Sequence, residues 1–246
     1  MEENYEKQYH DVEGNHWWFK SRRNFLLDLL SNAPKNSKIL DIGCSSGMFI
    51  NDLMKAGFQK ENLFGIDISE NAIANCKKNG IQNSYVMDAQ NITLEEKFDI
   101  LIASDSLEHL EDDAKALQNW KSLLKPNGKM YIFVPAFMSL WSHHDEVNMH
   151  YRRYTNEELQ QKLKAQNLTL EKTGYWNCFL FPPVYLFRKI NNLIGKNKSE
   201  EGDIKEVSPI VNSLLVSLVS FENKLLKYVR LPAGVSTFCI AKKKTV

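Results

Sequence analysis

The sequence predicts an α/β fold: a doubly wound, mainly parallel seven-stranded sheet with a helical insertion before the last strand. Three observations point there. Short apolar runs alternate with helical stretches from Lys38 onward, the pattern of βαβ units. The first run ends in a small-residue turn, G-C-S-S-G (43–47), of the kind that lets a ligand approach the backbone at the carboxyl edge of a sheet. Four acids, Asp41, Asp67, Asp88 and Asp105, fall at the ends of successive strands, although strands disfavour Asp.

The elements follow in order. A helix is expected from about Arg22 to Leu30, then a linker at Pro34–Ser37. K-I-L-D-I-G (38–43) is a strand and 47–56 a helix ending near Gly57. N-L-F-G-I-D (62–67) is the second strand. The helix 69–80 has Ser69 to cap it and Gly80 to stop it. Strands are expected at 84–88 and 98–105, a helix at 112–124 stopped by K-P-N-G (125–128), and a strand at 129–135. Then come a helix at 155–163 capped by Thr155 or Asn156, a strand at 168–176, and a final strand at 234–242. Between the last two lie an apolar Pro-containing segment, a polar loop (196–206) and a long helix. In that helix Val211, Leu214, Leu215, Leu218, Leu225, Leu226 and Val229 recur at helical spacing. Three regions result: an aromatic, helical N-terminal lid (1–36), a core (37–178 plus 234–246), and a helical insertion (179–233).

Composition narrows the function classes. Of 246 residues, 43% are hydrophobic and 25% charged, an ordinary globular mix. Thirty-one Lys+Arg against thirty Asp+Glu leave +1, so no basic field argues for nucleic acid. No apolar run is long enough to span a membrane. The start, M-E-E-N-Y-E-K, lacks the features of a secretory signal. The four cysteines, Cys44, Cys76, Cys178 and Cys239, form no C-x-x-C. A reducing cytoplasm is the expected compartment.

The aligned acids and the turn point to a nucleoside-type ligand. Asp67, at the end of the second strand, suits the two hydroxyls of a ribose. A dinucleotide would want G-x-G-x-x-G, and G-C-S-S-G followed by Met48-Phe49-Ile50 fails that pattern. Asp41 would also repel a pyrophosphate, whereas it would attract a cationic amino or sulfonium group. S-adenosylmethionine (SAM) is favoured over NAD.

Residues 37–178 plus 234–243 resemble the class I SAM-dependent methyltransferases. The motifs are I-L-D-I-G-C-S-S-G (39–47), G-I-D-I-S (65–69), M-D-A-Q (87–90), F-D-I-L-I-A-S-D-S-L-E-H-L (98–110) and L-K-P-N-G (124–128). The resemblance implies a seven-stranded sheet whose last strand enters antiparallel. It implies that Asp41 and Gly43 hold the methionine part of SAM, Asp67 the ribose, and Asp88 and Ala89 the adenine. Cys44, Gly47, Ile68 and Ser104 complete the implied cofactor set. The departure is Cys44-Ser45-Ser46, where many members carry another glycine. A bacterial subgroup is similar in pairing an H-W-W-F start with a W-S-H-H-D…R-R-Y-T loop.

SAM carries an activated methyl group, so the protein chiefly aligns a nucleophile. Oxygen is the favoured acceptor atom, with a histidine base. The loop P-A-F-M-S-L-W-S-H-H-D-E-V-N-M-H-Y-R-R-Y-T (135–155) is rich in polar groups. His144, His150 and His109 are the candidate bases and Asp145 the orienting carboxylate. A plainer reading has the loop stapled by His–Asp and Arg–Glu pairs. Asp105, Glu108 and His109 resemble the E-x-x-E-H of metal-dependent O-methyltransferases, which would hold a divalent cation. L-E-H-L is common in members that use no metal, so the metal is not favoured. Trp17, Trp18, Arg22, Arg23, Trp141, Arg152 and Arg153 are candidates for the acceptor side. The aromatics among them serve either as a lid facing the sulfonium or as a helix docked on the sheet.

The expected partner is a small-molecule or lipid-linked acceptor. The segment 179–230 reads as a helical cap or homodimer interface, or as an interfacial membrane anchor. Basic residues at a helix end are already explained by the macrodipole, which favours the cap. Two further alternatives are a nucleotide-dependent oxidoreductase on the same fold and a catalytically silent SAM-binding subunit.

Overall fold

The computed structural model describes residues 12–194 and 207–244. The polar loop 196–206, with Lys196 and Lys198, lies outside the described residues. The elements are α1 (Trp17–Leu29), β1 (Ile39–Ile42), α2 (Met48–Lys55), β2 (Leu63–Asp67), α3 (Glu70–Lys78), β3 (Ser84–Val86), β4 (Phe98–Ser104), α4 (Asp113–Leu123), β5 (Leu124–Pro135), α5 (His143–Val147), α6 (Asn156–Ala165), β6 (Leu168–Trp176), α7 (Phe181–Ile194), α8 (Pro209–Leu225) and β7 (Ser236–Lys243). One seven-stranded sheet has the order β3-β2-β1-β4-β5-β7-β6. The first five strands are mutually parallel, and β7 runs antiparallel to both β5 and β6.

Period-two alternation along the strands builds two core layers. Leu40, Ile42, Leu101, Ile132 and Ala241 face one side, where Trp120 of α4 and Leu159 and Leu163 of α6 cover them. Ile39, Ile102, Phe133, Phe238 and Ile240 face the other, under Phe25 and Leu26 of α1, Phe49 and Leu53 of α2, and Val219 of α8. The N-terminal region and the insertion therefore share one layer. Asn212 of α8 accepts from Trp17 N at 2.7 Å and donates to Asn15 O at 3.0 Å. Asn223 holds the Trp176 indole at 2.9 Å and donates to Ser21 O at 3.3 Å.

Several boundaries differ from expectation. Helix α1 begins at Trp17 rather than Arg22, because the His16 ring accepts the Trp18 amide and caps it. K-P-N-G is not a stop between elements but the start of β5. Leu124 pairs with Phe98, and a register shift follows before Ile100 pairs with Lys129. Strand β3 ends at Val86, so Asp88 lies beyond it and caps the turn Ala89–Asn91. The Pro-containing segment is helix α7; Pro182 and Pro183 sit in its first turn, where amides lack helical acceptors anyway. The long helix starts at Pro209 and ends at Leu225. Helix α5 was not expected; Ser142 and Asp145 close a capping box at its start.

Candidate active site

The carboxyl ends of β1, β2 and β4 form one wall of a cleft, and α1 with the residues before it forms the other. Glu13, Arg22, Arg23, Asp41, Gly43, Ser104 and Asp105 line it. Asp41 is 5% exposed. Burial, reinforced by the Asp67 charge, pushes its carboxyl up to about 7. The turn after β1 needs its glycines. At Gly43 (φ +76°) a side-chain carbon would lie 2.4 Å from Ser106 Oγ, and at Gly47 (φ +80°) 2.3 Å from Ile81 Cδ1. Asp67 accepts the Ser45 amide at 2.9 Å and the Ser69 amide at 3.0 Å. It thereby ties the turn to the start of α3. Ile68 beside it is 75% exposed. Asp88 is exposed and accepts the Gln90 amide at 2.8 Å, while the Ala89 carbonyl accepts the Trp120 indole at 2.7 Å.

Cys44 also lines the cleft, with its thiol 3.8 Å from the Cys76 sulfur. Trp18 packs edge-on against Trp176 at 5.1 Å, and the Trp17 amide is tied to α8. Both rings are half-buried against the core layer that α1 shares with α8.

Arg22 is 3% exposed. Its guanidinium lies over the rings of Trp176, Phe133 and Trp18 at 4.2, 4.9 and 5.3 Å. It donates to Ser104 Oγ, Asp105 Oδ2 and Ser236 Oγ at 3.3, 3.1 and 2.8 Å. Arg23 donates to Asp52 and to the carbonyls of Glu13 and Gly14. Glu13 accepts the hydroxyls of Ser45 and Ser46, so the segment before α1 is latched onto the cofactor turn. Nothing in the sequence marked Glu13, whose partners lie about thirty residues away.

The loop after β5 carries the second constellation. Asp145 is fully buried. Its carboxylate takes His150 Nδ1 at 2.9 Å, Arg153 Nε at 2.7 Å and the Ser142 amide at 2.9 Å. Burial alone would raise Asp145, but the bond from His150 and the Arg153 charge outweigh it and hold the carboxyl well below the usual range. His144 pairs instead with Asn148 at 3.3 Å. The His109 ring meets His150 edge-on at 4.5 Å. Burial and the neighbouring His150 lower His109 to about 3, so it is neutral.

Glu108 is fully buried, and neither carboxylate oxygen has a hydrogen-bond partner. Burial and the Asp105 charge push it well above the usual range. Glu108, His109 and His150 place ligand atoms within 4.8 Å of one another. Of the expected metal set Asp105, Glu108 and His109, Asp105 is not in this group, and its carboxylate pairs with Arg22 at 3.1 Å.

Arg152 and Arg153, expected on the acceptor side, are both paired within the protein. Arg152 bonds Asp113 at 3.0 Å and the Glu111 carbonyl at 2.6 Å. Arg153 is buried between Asp145 and the Ala136 carbonyl. Trp141 is half-buried and closes the turn Met138–Leu140.

Residues 40–132 match the family model of a methyltransferase domain. The methyltransferase core is 30% identical over 112 residues to the ubiquinone biosynthesis O-methyltransferase of Actinobacillus pleuropneumoniae, covering 41% of this chain and 47% of the relative. The chain thus spans about half the length of the curated relatives it matches. A SAM-dependent methyltransferase from Archaeoglobus fulgidus shares the fold at TM-score 0.53 and 22% identity, over 91% of this chain and 96% of that one. Phosphoethanolamine N-methyltransferase 2 of Haemonchus contortus, in complex with SAM, does so at 0.57 and 20%, over 90% and 52%.

Proposed function

We propose that the chain transfers the methyl group of SAM to an oxygen of a small or lipid-linked acceptor. The observation that carries the reading is the charge layout of the cleft. Asp41 and Asp105 face it from the strand wall, and Arg22 and Arg23, against the one acid Glu13, from the other. The methionine end of SAM carries a cationic amine, a cationic sulfonium and a carboxylate. An anionic wall opposite a cationic one suits that zwitterion. Asp67 beside the exposed Ile68 suits a ribose and the face of an adenine.

His150 is the favoured base. Asp145 accepts from its Nδ1, which leaves Nε2 with the lone pair that removes an acceptor proton. The O-methyltransferase named among the curated relatives agrees with oxygen as the acceptor atom. Transfer then requires only that the acceptor oxygen lie in line with the breaking C–S bond.

A divalent cation is a second reading, favoured by the two unpartnered oxygens of Glu108. Glu108, His109 and His150 would hold it, and it would polarise the acceptor hydroxyl. His150 would then be a ligand and not the base.

Calorimetry should show SAM binding to the intact chain and a large loss in Asp67→Ala. Unchanged binding in Asp67→Ala would overturn the cofactor placement. With labelled SAM and phenolic or lipid-extract acceptors, His150→Ala should lower transfer by about 100-fold or more at unchanged SAM affinity. A chelator that abolishes transfer without affecting SAM binding would select the metal reading.

A further inference from the structure

We propose that the outward faces of α7 and α8 form a docking surface for an anionic lipid bilayer. Neither the cofactor cleft nor the His150 constellation uses these faces. On α7, Leu186, Phe187 and Ile190 are 61%, 60% and 45% exposed. At about 100° per residue they occupy one stripe, opposite the buried Arg188. On α8, Ile210, Leu214, Leu218 and Phe221 are exposed at helical spacing, while Val219, Glu222 and Asn223 face the protein. Phe179, just before α7, stacks on Phe221 of α8 at 6.3 Å. An exposed apolar surface of this extent marks an interaction site.

Charge selects the occupant. Among the described residues of 179–233, the charged groups are Arg188, Lys189, Lys224, Lys227, Arg230 and Glu222. The one acid, Glu222, is fully buried and accepts the amides of Cys178 and Phe179. Lys189 and Lys224 are exposed and flank the apolar stripes, each about 60° from Leu186 or Phe221 on its own helix. Lys227 shares Asp28 at 3.3 Å. Lys227 and Arg230 also add, after burial, to the lowering of the Lys172 ammonium, so positive charge dominates that end of α8. A two-fold self-dimer through this face would bring two patches of the same positive sign together, with no acid at the exposed positions of either helix to offset them. An anionic surface meets them with opposite charge, and apolar stripes with basic flanks are the pattern of an interfacial helix. Neither helix is long and apolar enough to cross a bilayer, as holds for every helix among the described residues, so the contact lies in the surface plane.

The surface is joined to the acceptor loop. Arg188 of α7 donates to the Leu140 carbonyl at 2.6 Å and lies 3.9 Å from Asp145, the carboxylate that holds His150. An amphipathic acceptor resident in the bilayer would thus be met beside the site. That purpose rests on the methyltransferase reading, whereas the surface itself does not.

Sedimentation of the full chain with vesicles tests it. The chain should pellet with phosphatidylcholine–phosphatidylglycerol vesicles, far less with phosphatidylcholine alone, and less as salt rises. Lys189→Gln and Lys224→Gln should each weaken partitioning about fivefold. Phe187→Glu with Leu214→Glu, at exposed positions, should abolish pelleting at unchanged SAM affinity. A wild-type chain that stays in solution with anionic vesicles overturns the proposal. So does a dimer in solution that the same glutamates dissociate. SAM calorimetry on the same samples keeps failure of the surface separate from failure of the cofactor reading.

Discussion

Asp41 and Asp145 are buried aspartates near the same edge of the sheet, pushed in opposite directions. Asp41 has no cationic partner among the described residues, and burial with the Asp67 charge raises it to about 7. The folded state therefore holds that proton more tightly than the unfolded chain, and stability falls as pH rises from about 4 to about 7. A cationic ligand favours the ionised form, so SAM should bind more tightly as pH rises through 7, with proton release. Calorimetry from pH 6 to 8 should show this slope, and Asp41→Asn should flatten it. In thermal melts Asp41→Asn should gain relative to wild type at pH 8 but not at pH 5. Asp145 is held by His150 and Arg153. Asp145→Asn leaves Arg153 buried against a neutral group and should cost about 3–5 kcal/mol in urea unfolding. Both acids were visible in the sequence because of their positions, at a strand end and in a His-rich loop. Their opposite electrostatics were not, since those depend on neighbours such as Asp67 and Arg153 that only the fold supplies.

Among elements, α1 starts five residues earlier than its sequence reading. The sequence leaves Trp17 and Trp18 open between a lid and a docked helix; Phe25, deeper in the same helix, is fully buried, edge-on to Phe133 at 5.9 Å and Phe238 at 5.4 Å. Phe25→Ala should cost about 3–5 kcal/mol, read as a lower urea midpoint at unchanged slope. The elements of the core were legible because each pairs an apolar run with a cap or stop: Ser69 caps α3 and Thr155 caps α6 through a box with Glu158. Helix α7 was not, because two prolines near its start mimic a loop signal until they are seen in a first turn. Nor was the merging of K-P-N-G into β5. There Gly128 packs against the Phe98 carbonyl, about 3.0 Å from where a side-chain carbon would sit, a contact that comes only from strand pairing.

At the scale of the whole molecule, the seven strands and the antiparallel last strand followed the family resemblance. The packing of the N-terminal region against the insertion did not. It depends on Asn212 and Asn223, two polar residues on an apolar helix whose partners lie about 200 residues away in sequence. The two regions with no counterpart in the matched domain thus stand as one layer beside the cofactor cleft.

The pairing of Trp176 with Ser236 has a consequence for how such a chain can change over time. The whole stretch between them leaves the sheet and returns to it at adjacent points. Its length can therefore vary without moving a single strand, and lengthening a closed loop costs entropy only logarithmically. The sheet is a fixed chassis with one socket. New recognition for a different acceptor can be spliced in there while the cofactor edge, built from the opposite half of the strand order, is left as it was.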